Sequence, residues 1–153
     1  MLKSINIATP LVALALLLIG QAPCSAEIIK LTANLSGSEE LPPISAKGSG
    51  ALKGLYDTTT KKLSWSISYS GLTGPVTRAD FHASAAAGEH APIKVGIDTA
   101  GVSSGMPIEG SANLTDRFEP PLDKALLNGK FYINLHTADH PNGEIRGQIL
   151  TEK

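Results

Sequence analysis

The chain has 153 residues, of which 42% are hydrophobic and 18% are charged, and its formal net charge at pH 7 is −1. This length fits a single globular domain. Because the charge is near zero and Lys and Arg are scattered, the composition gives no reason to expect nucleic acid or an anionic membrane as a partner.

The N-terminus is typical of a signal peptide. The apolar run from Leu11 to Ile19 is too short to cross a bilayer, because a transmembrane helix needs about 20 apolar residues. We expect cleavage after Ala26, with residues 1–26 as the signal peptide and residues 27–153 as a secreted or periplasmic domain. Cys24 leaves a lipid-anchored N-terminus as the alternative, although the residues before it do not resemble a bacterial lipobox.

Five segments of the mature chain place apolar residues at every second position, which is the pattern of a strand with one buried face. The clearest of them contains Trp65, which alternates with serines, and we expect this tryptophan at the centre of the core. The five segments are Ile29–Leu35, Gly48–Tyr56, Leu63–Tyr69, Ile93–Ile97 and Ile108–Leu114.

A further strand, Val76–Ser84, has two chemically different faces. Phe81 lies on an apolar face, whereas Arg78, Asp80 and His82 point to the other, because residues two apart on a strand share a face. This strand therefore predicts one side in the core and one side that carries ionisable groups.

A short helix is predicted over Pro120–Gly129. Proline favours the first turn, three leucines share one side, and Gly129 is typical of the residue that follows a helix.

The last segment, Lys130–Leu150, predicts a β-hairpin, because two alternating runs flank the turn residues Asp139–Gly143. One face of the hairpin is aliphatic. If Thr137 faces Gly143, the other face holds polar residues in opposed pairs, which are Tyr132 with Gln148, Asn134 with Arg146, and His136 with Glu144. These polar residues, together with Asp80, form either a structural network or a binding face.

The seven or eight short strands and single helix indicate an all-β domain. We expect an antiparallel two-sheet β-sandwich with Greek-key, immunoglobulin-like connections and one short helix before the C-terminal hairpin.

Four segments resemble the CHRD domain family, which is named after chordin and also occurs in secreted microbial proteins. The most specific similarity is the hairpin, with Tyr-Ile-Asn-Leu-His-Thr followed by Pro-Asn-Gly-Glu-Ile-Arg-Gly-Gln. The resemblance spans roughly residues 30 to 150 and implies the same broad fold class. The other three segments are Glu40–Pro43, Leu63–Leu72 and Ala79–His82.

The chain departs from the family pattern at one place. Where the family usually has His-x-His followed by Gly-Pro, this chain has Asp80-Phe81-His82 followed by Ala83-Ser84.

No enzyme motif is found in the sequence, which lacks Gly-x-Ser-x-Gly, a phosphate-binding glycine loop, His-Glu-x-x-His and a cysteine pair. We therefore expect a non-catalytic module with a binding or structural role outside the cytoplasm. Its partner would be an extracellular or periplasmic protein or ligand.

Asp80, His82 and His136 form a candidate metal site if the strands that carry them meet. Two imidazoles and a carboxylate suit copper or zinc, in a carrier or a weak redox enzyme, and Glu144 would then orient His136. The alternative is a hydrogen-bonded structural network, which the replacement of a family histidine by Asp80 favours. His90, in a predicted loop, is either a surface histidine or a further ligand, and the same holds for His140.

Arg146 also has two interpretations. It is either a fixed guanidinium for an anionic ligand or one member of an intramolecular pair with Asn134, Glu144 or Asp80. The cross-strand partners already present in the sequence favour the intramolecular pair.

Overall fold

The computed structural model describes residues 27–114 and 121–152. The predicted signal peptide, with its cleavage site and Cys24, lies outside these residues, as does Pro120. The described residues form eight strands, a 3₁₀ turn at Gly37–Glu39 and one α-helix, α1 (Leu122–Leu127). The strands are β1 (Ile28–Ser36), β2 (Ser49–Asp57), β3 (Lys62–Ser70), β4 (Arg78–Ala83), β5 (Ile93–Ile97), β6 (Ile108–Asn113), β7 (Phe131–His136) and β8 (Ile145–Thr151).

Alternation along the strands decides which residues enter the core. In β1, Leu31, Ala33 and Leu35 are buried, and the residues between them are more exposed. In β4, Phe81 is fully buried together with the alanines on its side of the strand. The predicted apolar faces of these strands are therefore confirmed.

All eight strands belong to one antiparallel sheet, in the order β5-β4-β7-β8-β1-β2-β3-β6. Strand β1 pairs with β2 on one side and with β8 on the other, which joins the first strands of the chain to the last. The all-β antiparallel prediction is confirmed, but the strands form one continuous sheet where we expected two. A period-two pattern shows which face of a strand is buried and does not show which strand lies beside it.

The sheet is strongly curved and nearly barrel-like. Trp65 on β3 and Phe81 on β4 stand five strand positions apart, which would be about 24 Å in a flat sheet. Their ring centroids are nevertheless only 4.9 Å apart, in an edge-to-face contact. The apolar face of the sheet therefore closes on itself, and Trp65 belongs to the core that this closure creates.

Helix α1 lies between β6 and β7 in the chain, and its buried Leu122 and Leu126 belong to the same core. Gly129 follows the helix with a positive φ of 65°, a conformation in which a side chain would be strained. None of the helices among residues 27–114 and 121–152 is long and apolar enough to cross a membrane.

Candidate functional site

The opposite face of β4, β7 and β8 carries the polar side chains that the sequence singled out. Asp80 pairs with Asn134 and Asn134 pairs with Arg146, so these three residues form one row across the three strands. The predicted pairing of Tyr132 with Gln148 is also confirmed. We call this set the polar face, and it consists of Asp80, His82, Tyr132, Asn134, His136, Arg146 and Gln148.

The loop between β4 and β5, residues 84–92, covers part of the polar face. Arg146 donates to the Glu89 carbonyl over 2.7 Å, and the Tyr132 hydroxyl donates to the Ala91 carbonyl over 3.2 Å. The Gln148 amide donates to the Ala85 carbonyl. The backbone carbonyls of this loop therefore accept the hydrogen bonds that these side chains would donate to water on an exposed strand face.

The loop between β1 and β2 covers the polar face from the other side. Its Glu40 is only 6% exposed and accepts a long hydrogen bond of 3.5 Å from Asn134. Burial raises the pKa of Glu40 to about 7, although the charge of Arg146 and the bond from Asn134 act in the opposite direction. The sequence marked Glu40 only through the family resemblance, which assigned it no role.

The register of the hairpin was predicted correctly, but its side chains do not bond in the expected cross-strand pairs. Glu144, expected beside His136, accepts hydrogen bonds from the hydroxyls of Thr73 and Thr137 and from the Thr73 backbone N–H. Burial raises the pKa of Glu144, but these hydrogen bonds outweigh that effect and hold its pKa below the usual value. Glu144 thus ties the β3–β4 loop to the hairpin.

Arg146 is held within the molecule, as favoured, but by other groups than those predicted. Besides the Glu89 carbonyl, its guanidinium carbon lies 3.6 Å from the centre of the Tyr132 ring. Arg146 is itself buried, so it is not presented to an anionic ligand in solution.

Asp80, His82 and His136 meet on the polar face. One ligand atom from each lies within 4.8 Å of the others, which makes them a candidate metal-binding set among the described residues. Asp80 Oδ2 and His136 Nε2 are 3.4 Å apart, close to the separation of about 3.3 Å between two ligands on a tetrahedral zinc ion. Neither His90 nor His140 belongs to this set.

The hydrogen bonds of the two histidines fix their tautomers. His82 Nδ1 lies 2.8 Å from the Ala91 carbonyl, and His136 Nδ1 lies 3.0 Å from the Pro141 carbonyl. Because a carbonyl only accepts, both Nδ1 atoms carry the proton and both Nε2 atoms keep a lone pair. A backbone partner on the far nitrogen is the usual support of a metal-ligating histidine.

Both imidazoles are held in the neutral form that binds metals. Burial lowers the pKa of His82, and burial together with the nearby Arg78 charge lowers the pKa of His136. The Nε2 atom of His82 is buried and has no hydrogen-bond partner among the described residues. It is therefore free to accept a ligand bond.

Arg78 is a member of this cluster to which the sequence gave no role. It pairs with His136 across β4 and β7, and its Nε lies 2.7 Å from Asp80 Oδ2. Its position two residues before Asp80 was the signal in the sequence, because it places both side chains on one face of the strand.

The comparison with known families supports the resemblance seen in the sequence. A sequence model of the family described as CHRD domain matches residues 31–149, a range that includes the whole polar face. No curated protein and no solved structure matches the chain.

Proposed function

Because the chain belongs to the CHRD domain family, we propose that it is a small module that works outside the cytoplasm by binding and performs no catalysis. The signal peptide predicted from the sequence supports an extracellular or periplasmic location. The lack of any enzyme motif in the sequence supports a binding role.

The ligand that the geometry favours is a copper or zinc ion held by Asp80, His82 and His136. One observation carries this proposal: the Nε2 lone pairs of two neutral imidazoles converge on one carboxylate, and that of His82 has no hydrogen-bond partner among the described residues. A metal ion between the three groups would accept both lone pairs and offset the carboxylate charge, and nitrogen and carboxylate ligands suit both metals. A fourth position would remain for water or for an external ligand.

Metal content tests this proposal. The exported protein, without a histidine tag, is loaded with Cu²⁺ or Zn²⁺ at neutral pH, dialysed and analysed for metal by mass spectrometry. We expect about one equivalent, and a loss of binding in His82→Ala and His136→Ala. His140→Ala is the matched control and should bind as the wild type does. Less than about a tenth of an equivalent after loading would overturn the metal proposal.

The second candidate is a structural role for the same cluster. The ion pair between Arg78 and Asp80, at 2.7 Å, supports it, because it already supplies a positive charge at the carboxylate. In that case the module binds a partner through another surface. His82→Ala would then change the stability of the fold and leave metal binding unchanged. A weak redox activity is the alternative for a copper-loaded site, and a turnover assay of the copper-loaded protein tests it.

A further inference from the structure

We propose that Arg78 is a built-in cation that fills the metal position when no metal is bound and swings out when the metal enters. This inference rests on the metal-binding function proposed above and concerns how that site is regulated. It makes Arg78 a direct competitor of the metal for Asp80 and His136.

The position of the guanidinium is the first observation. Arg78 Nε lies 2.7 Å from Asp80 Oδ2, and Arg78 Nη2 lies 3.2 Å from His136 Nε2. His136 Nε2 is also the nitrogen left free of a proton for a metal, because Nδ1 bonds the Pro141 carbonyl, and Asp80 Oδ2 lies 3.4 Å from this Nε2. The guanidinium and the metal therefore cannot occupy the site together.

The second observation is that Arg78 satisfies the cluster only in part. His82 Nε2 has no hydrogen-bond partner among the described residues, and Asp80 Oδ2 has only the ion pair with Arg78, which lacks hydrogen-bond geometry. The unpaired buried nitrogen of His82 destabilises the site. A metal ion would engage all three groups at once, which an arginine in this position does not.

The third observation is a difference in exposure. The side chain of Arg78 is 52% exposed, whereas that of Asp80 is 5% exposed and that of His136 is 3% exposed. Arg78 is thus the member of the cluster whose side chain already reaches solvent and can move there once its ion pair with Asp80 is broken. Arg146, the arginine of the polar face, is held by the Glu89 carbonyl and the Tyr132 ring and cannot replace Arg78.

The structure therefore predicts that Arg78 stabilises the metal-free protein and opposes metal binding. Without metal, Arg78 neutralises Asp80 and supports the fold. In metal binding, it must first be displaced, which weakens the apparent affinity.

Zn²⁺ binding by three variants tests this inference. Arg78→Leu removes the charge without adding a ligand, Arg78→Lys keeps a cation, and Lys124→Leu removes an exposed charge on α1. Affinities are measured by competition with a chromophoric chelator, and melting temperatures are measured in EDTA and in excess Zn²⁺. We expect Arg78→Leu to bind Zn²⁺ at least about tenfold more tightly than the wild type, since one nearby unit charge is removed. Arg78→Leu should also have a lower melting temperature than the wild type in EDTA, and Zn²⁺ should raise its melting temperature by more.

The outcomes separate the inference from the proposed function. Arg78→Lys should fall between the wild type and Arg78→Leu, and Lys124→Leu should match the wild type. If the wild type binds Zn²⁺ through its histidines and Arg78→Leu binds with equal or weaker affinity, the role of Arg78 is overturned and the metal site stands. If neither the wild type nor Arg78→Leu nor Arg78→Lys binds, both proposals fall. Should Arg78→Leu not fold, the comparison of Arg78→Lys with the wild type decides, and equal affinity there overturns the inference.

Discussion

The guanidinium of Arg146 lies against the face of the Tyr132 ring, with 3.6 Å between its central carbon and the ring centre. Both residues are buried, although they come from the polar face of the hairpin. The Tyr132 ring also stacks on His82, with centroids 4.5 Å apart. Tyr132 thus packs against both a cation and an imidazole, and its hydroxyl bonds to the loop at residues 84–92.

Arg146→Ala should strongly destabilise the domain. It leaves the Glu89 carbonyl without its donor and removes the cation–π contact with Tyr132, which together cost about 2–4 kcal/mol. Lys124→Ala, at an exposed position of α1, should cost about 0–1 kcal/mol. Urea melts of the two variants measure this difference, and equal midpoints would place Arg146 at the surface.

The partner of Arg146 can be identified by double-mutant cycles. Tyr132→Leu and Arg146→Ala should couple by about 1–2 kcal/mol, because the two residues share a cation–π contact. Glu144→Gln and Arg146→Ala should add to within about 0.5 kcal/mol, because Glu144 bonds to Thr73 and Thr137. The opposite pattern would favour a Glu144–Arg146 pair, which was one of the alternatives for Arg146 in the sequence.

Trp65→Ala should cost about 3–5 kcal/mol, the usual range for a buried aromatic residue. Trp65 is 8% exposed and meets Phe81 edge-to-face, so its loss opens the closure between the two ends of the sheet. Leu55→Ala, on the neighbouring strand but 49% exposed, is the control and should cost less than about 1 kcal/mol. A loss below about 1 kcal/mol for Trp65→Ala in denaturant melts would contradict this placement.

Gly143→Ala should destabilise the hairpin through a clash. A Cβ at this residue would lie 2.5 Å from the Asn134 amide and 2.6 Å from Glu40 Oε1, and its φ of +130° is itself strained for an alanine. We expect a loss of more than about 2 kcal/mol.

Gly88→Ala is the matched control for that variant. Gly88 also has a positive φ, of +81°, but nothing lies within 4 Å of its Cβ position. Backbone strain alone should then cost about 1 kcal/mol. If the two variants have the same melting temperature, the requirement for glycine at residue 143 comes from its backbone conformation and not from the close approach of Asn134.

Glu40 should make stability fall as the pH rises. Its pKa is raised from 4.5 to about 7, so the folded state binds the extra proton between these values. The stability from this group is therefore complete below pH 4.5 and is lost as the pH rises through about 7. Glu40→Gln stays neutral at every pH. Between pH 4.5 and pH 8, its free energy of unfolding should therefore rise relative to that of the wild type by on the order of 1–3 kcal/mol.

His82 and His136 act in the opposite direction. Because the pKa of each is lowered below 6.5, they reduce stability as the pH falls below that value. Both proteins carry them, so their contribution cancels when Glu40→Gln is compared with the wild type at each pH. A pH-independent difference in melting temperature would show that Glu40 ionises in the fold as it does in water.

The exported protein should begin at Glu27. The short apolar run and the small residue before the cleavage point predict this processing. Intact-mass measurement of protein from the culture medium or periplasm checks it, and the expected mass is that of residues 27–153. A lipid-modified species that begins at Cys24 would instead support the lipoprotein alternative.

The sequence by itself determined the strands and the face that each one buries. Because side chains alternate between the two faces of a strand, the alternation of apolar residues in the sequence predicts that Leu31, Trp65 and Phe81 are buried. It also determined the register of the terminal hairpin, because the turn at Asp139–Gly143 fixes which residues of β7 and β8 lie opposite each other. The convergence of Asp80 and His82 with His136 could be proposed, but it needed the adjacency of β4 and β7.

Only the tertiary structure decided which groups satisfy the polar face. Glu40 and Glu89 reach it from loops that are 94 and 57 residues away from their partners Asn134 and Arg146 in the sequence. The pairing of β1 with β8, which makes one sheet of the strands, is likewise a contact between the two ends of the domain. Local patterns carry no information about such contacts, because they depend on how the whole sheet curves and on which loop then closes over it.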